Sequence, residues 1–343
     1  MSKRLLCILC FLCVLICLVS VAEISAKDIP TDRPGDKDKP MEVNFFVFVL
    51  DVDDISGANQ NFSINVFMRM TWKDERLADK DIPVRSLPLS KVWHPHVVIA
   101  NKQFFVRKSL PDVVRVESDG TITYSQRYLG PLSQRLNLSR FPFDKHTFGI
   151  NFISTRYTPD QVKFVPIPSR HNPKIIGGGI SEELSLADWE ITDHLIETRP
   201  YNPMEDVLTA GFVFEFTADR YELYYIWQVI IPLFLIVLMS WGALWIDPTN
   251  SGTQIGLATS SILTLIAYRF MLGNLIPRLP YMTRMDYFTL GSTVLVFFML
   301  IEVVTTSFLA RHGLEKTARR IDRIGRVTFP VVFAAWSAWS FLE

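Results

Sequence analysis

From Ile226 to Ile246 the chain runs 21 residues without a charge, and after the lone Asp247 it runs 21 more, from Pro248 to Tyr268. Each run is long enough to cross roughly 30 Å of hydrocarbon as a helix. A third apolar stretch, Tyr287 to Ala310, is broken only by Glu302, and a fourth covers Val327 to Leu342. The pattern predicts four membrane helices, at 223–246, 253–274, 286–310 and 326–342. Elsewhere the chain is of another kind. Its charges balance, 35 Lys and Arg against 35 Asp and Glu in 343 residues, which excludes a nucleic-acid-binding surface as its main business. With 49% hydrophobic residues, disorder is excluded too.

Orientation follows from the cations. Arg311, Lys316, Arg319, Arg320, Arg323 and Arg326, against Glu315 and Asp322, lie between the third and fourth spans. Lys and Arg collect on the cytoplasmic side, so this connection is expected inside. At about sixteen residues it is too short to hold a domain. The other end agrees: Lys3-Arg4 precede 18 uncharged residues, Leu5 to Ala22, that close on small side chains. Residues 1–26 are read as a secretory signal cut after Ala22 or Ala26, with a retained anchor helix as the alternative. Counting spans then puts residues 27–222 and both mature termini outside. Cys7, Cys10, Cys13 and Cys17 all lie in the signal, so the mature chain is expected to have no disulfide and no cysteine metal site.

Residues 41–220 carry short alternating or aromatic runs, such as Asn44–Leu50 and Ser63–Met70. Ser118-Asp119-Gly120 and Gly177-Gly178-Gly179 punctuate them, the glycines reading as a flexible loop, and no long helical period appears. Such a segment, about 180 residues long, predicts an all-β, immunoglobulin-like sandwich.

The second span differs from a helix that faces lipid all round. It carries Thr253, Gln254, Thr259, Ser260, Ser261, Thr264, Arg269 and Asn274, and polar groups at membrane depth face protein or water. Stepping by three or four from Gly256 gives Ser260, Leu263, Ala267, Phe270 and Asn274, and Thr253 extends the stripe backwards. Copies set around an axis would form a narrow watery mouth under a hydrophobic gate at Leu263 and Phe270, which stops ions by dewetting. The alternative is that the hydroxyls only hold helices together.

Several motifs occur in a fixed order. They are Trp72-Lys73-Asp74, Val92-Trp93-His94-Pro95 with Asn101, and Phe141-Pro142-Phe143-Asp144. Arg220 and Pro232 follow, then Pro277-Arg278-Leu279-Pro280-Tyr281. With the segment Ile255–Thr264 they resemble the pentameric ligand-gated ion channels, the Cys-loop receptor superfamily, and in particular its bacterial members that lack the disulfide. Gln134 and Phe148 stand where animal receptors have the two cysteines, and His96 replaces a family acid. The resemblance implies a homopentamer around a central pore, the four-helix bundle sitting in a bacterial inner membrane with the sandwich in the periplasm or outside. It also implies a small-molecule agonist, surrounding membrane lipids and permeant inorganic ions, with no cofactor, no nucleic acid and no enzyme chemistry. Family cation channels place a Glu ring just below the pore helix, where this chain has Gly252, Thr253 and Gln254. Asp247 remains as a ring lower down, so selectivity leans only slightly to anions or to none.

The resemblance further implies an agonist site between neighbouring subunits, under the hairpin Arg199–Leu208. Motif offsets assign to it Phe67, Asn101, Arg115, Thr155, Arg156, Tyr157 and Tyr201, with Ala100 at another box position. Too few rings remain for a choline-like cation. Arg69, Arg115 and Arg156 favour an acidic ligand, unless they pair with surface carboxylates. Coupling to the pore is implied for Phe141, Pro142, Phe143, Asp144, Arg220, Pro277, Arg278 and Pro280. Asp144 is expected to pair with Arg220, Phe143 to press on the Leu275–Tyr281 connection, and Asp51, Asp53 and Asp54 to meet Arg278. Glu302 is either a pH sensor or a structural hydrogen-bonding group. The histidines show no helix-type metal spacing, and His94 and His96 would share a strand face but need further ligands.

Two rivals stand beside the channel reading. A non-conducting, membrane-anchored receptor or adhesion protein leaves the polar stripe unexplained. A tethered enzyme lacks any nucleophile elbow, metal triad or phosphate loop.

Overall fold

The computed structural model describes residues 31–169, 172–204, 207–273 and 279–342. The predicted signal with its cysteines, and the candidates Asn274, Pro277 and Arg278, lie outside the described residues.

Strand β1 (Met41–Ser56) pairs with β2 (Asn61–Lys73), whose side chains alternate without a break. Phe62, Ile64, Val66, Met68, Met70 and Trp72 are buried, while Phe67, Arg69 and their neighbours face outward. One apolar face and one polar face is what a half-buried strand requires. The larger sheet continues from β2 through β7 (Thr121–Ser133) and β6 (Val113–Glu117) to β3 (Val84–Pro88), with the short β5 (Arg107–Lys108) also on β7. On the other side of β1 run β9 (Val162–Pro166) and β10 (Gly178–Ile180), both parallel to it. The smaller sheet is ordered β11 (Trp189–Glu197), β14 (Gly211–Arg220), β8 (Lys145–Ser154) and β4 (Val97–Ile99). Strands β12 (Tyr201–Met204) and β13 (Val207–Thr209) form a separate hairpin. Phenylalanines join the layers: Phe45 stacks on Phe212 at 3.8 Å, and Phe62 packs on Phe148 at 5.2 Å and Phe216 at 5.7 Å.

The glycine run corrects the sequence reading. Gly178 and Gly179 are strand, not flexible loop, paired with Val47 and Phe48. A β-carbon on Gly178 would collide with the Val47 carbonyl oxygen, and Gly177 has φ +77°, so only glycine brings this edge against β1.

Four helices follow: α1 (Leu223–Trp245), α2 (Ser251–Leu272), α3 (Arg284–Arg311) and α4 (Glu315–Leu342). The first three are long and apolar enough to cross a membrane. Helix α1 opens with a π-helical turn over Ile226–Ile230. Pro232 has no N–H for the Gln228 carbonyl, and the Tyr268 hydroxyl of α2 lies 3.1 Å from that oxygen and 2.8 Å from the Val229 carbonyl. A Thr283–Asp286 capping box starts α3. Helix α4 begins well before residue 326. Its basic first half is helical because Arg319 reaches both Glu315 (3.7 Å) and Asp247 (3.2 Å) while Ala318 and Asp322 turn inward.

Candidate pore and coupling site

Helix α2 has two unlike faces. Gln254, Ala258, Ser261, Leu265 and Leu272 are buried in their own bundle. Thr253, Gly256, Ser260, Leu263, Ala267 and Phe270 all lie on the exposed face, Leu263 being 68% and Phe270 78% accessible. The hydroxyls of Thr259, Ser261 and Thr264 donate within the helix, to Ile255, Leu257 and Ser260 carbonyls at 2.8–2.9 Å. Each of the three spends its donor within its own helix. Gln254 is wholly buried, accepting from Ser307 at 3.1 Å and facing Asp322, so it does not share the exposed stripe. Asp247 is engaged by Arg319. Glu302 leaves its Oε1 buried without a hydrogen-bond partner among the described residues, against α4 at Gly325.

The loop between β7 and β8 carries Phe141-Pro142-Phe143-Asp144 to the head of the bundle. Arg220 closes β14 and grips Asp144 with two hydrogen bonds, Nε to Oδ1 at 2.8 Å and Nη2 to Oδ2 at 3.0 Å. The guanidinium lies 4.0 Å from the Trp189 ring centre and 5.0 Å from that of Phe141, and Phe141 packs edge-on against Tyr225 of α1. Planar guanidinium suits both the carboxylate fork and the ring faces. Burial pushes the Asp144 carboxyl up, but the bonds from His146 and Arg220 and the Arg220 charge outweigh it, so the group stays below its ordinary range.

The same loop touches two more helices. The Tyr281 hydroxyl accepts from the Leu138 N–H at 3.0 Å, and the Arg284 N–H donates to the Ser139 carbonyl at 3.0 Å. Phe143 packs edge-on against Phe341 of α4 at 5.5 Å. Pro280 is exposed, and Asp51 is occupied by Ser185.

The predicted agonist residues fall into two sets. Phe67 on β2 and Arg115 on β6 lie on the outward face of the larger sheet. Thr155, Arg156 and Tyr157 follow β8, and Tyr201 is in β12. Among the described residues no hydrogen bond or ring contact joins the two sets. Tyr157 accepts from Trp93 Nε1 at 2.8 Å. Asn101 spends its amide on backbone, donating to Gly149 and Ser133 and accepting from Asn151, which makes it a staple between strands. His94 and His96 lie outside β4 with ring centres 3.9 Å apart, and Arg156 faces His96 at 3.5 Å. Burial, then the charges of His94 and Arg156, bring His96 down to about 4.

Sequence reasoning missed His146, which contacts Asp144 at 2.9 Å. Asp144 stands one residue before β8, so strand alternation alone did not pair the two.

Residues 29–220 match the model of the neurotransmitter-gated ion-channel ligand-binding domain, and residues 229–318 match that of the neurotransmitter-gated ion-channel transmembrane region. Similar proteins include the proton-gated ion channel of Gloeobacter violaceus, 26% identical over 313 residues that cover 90% of this chain and 84% of that protein. Another is the gamma-aminobutyric acid receptor subunit beta-4 of Gallus gallus, 26% identical over 306 residues that cover 86% of this chain and 61% of the subunit.

Proposed function

This chain belongs to the neurotransmitter-gated ion-channel family, and from that premise we propose that five copies surround an axis so that their α2 stripes line an ion passage. It is a ligand-gated ion channel and not an enzyme. The observation that carries the proposed pore is the exposed face of α2, where small and polar side chains alternate with Leu263 and Phe270. Five such faces would form a watery tube with two apolar girdles, which open by widening and close by drying. The separation of Phe67 and Arg115 from Thr155–Tyr157 and Tyr201 supports an agonist site completed by a neighbouring copy. One relative is named for proton gating and another for gamma-aminobutyric acid. The exposed Arg115 and Arg156 suit the carboxylate of a small acidic or zwitterionic ligand.

In this reading residues 27–222 form the outer ligand-binding domain of a bacterial inner-membrane protein, with both termini outside and lipid against the exposed apolar faces of α1, α3 and α4. The Arg311–Arg326 cations supply the orientation. With Gln254 turned inward and Asp247 held by Arg319, no free carboxylate ring guards that end of α2, which supports anion passage or weak selectivity. Reconstitution in planar bilayers tests the whole. Discrete unitary currents are expected, with a reversal potential in asymmetric salt that gives the sign of the carried ion. Absence of currents with protons and with gamma-aminobutyric acid would return the non-conducting receptor to favour.

A further inference from the structure

We infer that His146 is a positioning residue of the coupling joint, holding Asp144 for Arg220 and making that joint responsive to protonation. Its consequence for gating rests on the channel reading; its action on the pair does not.

His146 Nε2 lies 2.9 Å from Asp144 Oδ2. A carboxylate only accepts, so Nε2 carries the hydrogen in this contact. Oδ2 is thereby shared between His146 and Arg220 Nη2, while Oδ1 belongs to Arg220 Nε. The three side chains are 11%, 2% and 7% accessible for His146, Asp144 and Arg220. With a neutral imidazole the cluster holds one cation and one anion and sums to zero.

An imidazole can take up a second proton and with it a positive charge. A proton on the remaining nitrogen leaves the Nε2–H···Oδ2 bond in place but turns it into an ion pair. Oδ2 is then drawn toward His146 and away from Arg220, and two buried cations share one carboxylate. Among the described residues the imidazole has no second hydrogen-bond partner, and the Phe148 and Trp189 rings lie 6.2 and 5.8 Å from it. Of the other charged groups around the joint, Lys145 and Asp219 bond each other at 3.2 Å, and Asp188 adjoins Trp189 and accepts from the Tyr221 N–H through its carbonyl. Arg220 precedes α1 by only two residues and its guanidinium lies 5.9 Å from the Tyr225 ring, so a loosened Arg220 is felt where the membrane helix begins.

The test uses the full-length protein. Currents are recorded in planar bilayers while the solution on the sandwich side is stepped from about pH 8 to about pH 5.5, protons being the probe. The detergent-solubilised protein is melted over the same range. His146→Gln keeps an N–H for Asp144 but takes no proton. Wild-type open probability is expected to change roughly tenfold, the weight of one hydrogen bond to a charged group, and the variant is expected to conduct while losing most of that change. Its melting profile should likewise lose a pH-dependent step. A current response or melting step that survives intact in His146→Gln overturns the assignment. Should neither protein conduct, the channel reading falls and the melting comparison alone decides.

Discussion

The indole of Trp336 on α4 occupies the space that a β-carbon on Gly291 of α3 would need, and its Nε1–H donates to the Tyr287 carbonyl at 3.1 Å. Gly291→Ala forces the ring outward and breaks that bond. Overpacking at such a contact costs about 1–3 kcal/mol, so the melting temperature of the detergent-solubilised protein should fall. Trp336→Ala in the same background should relieve part of the clash. An unchanged midpoint for Gly291→Ala alone would contradict the docking of α4 described above.

Asp144 and Arg220 should behave as one unit. Removing either partner of a buried pair costs about 3–5 kcal/mol, and the double variant Asp144→Asn/Arg220→Gln should cost well under the sum. The sign with pH follows from the carboxyl, which lies below its ordinary 3.8 in the folded protein. The folded chain then binds fewer protons than the unfolded one near that value. The stabilisation is complete above pH 3.8 and drains away as pH falls through the folded value. Wild type should lose stability on this acid limb and Asp144→Asn should not, which denaturant titrations at several pH values would show.

Much of this was legible in the residues. Apolar runs marked α1 to α3, and a three-four step from Gly256 picked out residues of the exposed face of α2. Period-two alternation gave β2 and its partners. The rest depended on contacts between distant segments. Six cations made the start of α4 look like a loop, because Glu315, Asp247 and Arg319 meet only in three dimensions. Gln254 read only as one of the polar residues of the second span, and its bond with Ser307 shows that it is turned inward. The triple glycine looked flexible because its partner, the Val47 carbonyl, lies on a strand far away in sequence.

His96 offers a second and separate acid response. Burial, with the nearby His94 and Arg156, holds it at about 4 against an ordinary 6.5. A base with a depressed value binds its proton more readily when unfolded. The contribution is therefore present above pH 6.5 and lost as pH falls toward about 4, a window above that of Asp144. His96 has φ +49°, so Asn, which tolerates that region, is the conservative replacement. His96→Asn should flatten the melting profile between those values and leave the lower acid limb intact.

The two faces of α2 give the sharpest test of the pore. The four native cysteines all lie within the first 17 positions, so a cysteine introduced in α2 is the only one after position 17. Placed at Gly256, Ser260 or Ala267, on the exposed stripe, it should react with aqueous thiol reagents and change the current. At Ala258 or Leu265, packed within the bundle at 1% and 2% accessibility, it should stay unmodified. Leu263→Ser wets the first girdle, and a dewetted gate opens more readily once a hydroxyl lines it. Spontaneous openings should rise severalfold. Equal reactivity on both faces, or a silent Leu263→Ser, would mean that the passage runs along some other surface of the bundle.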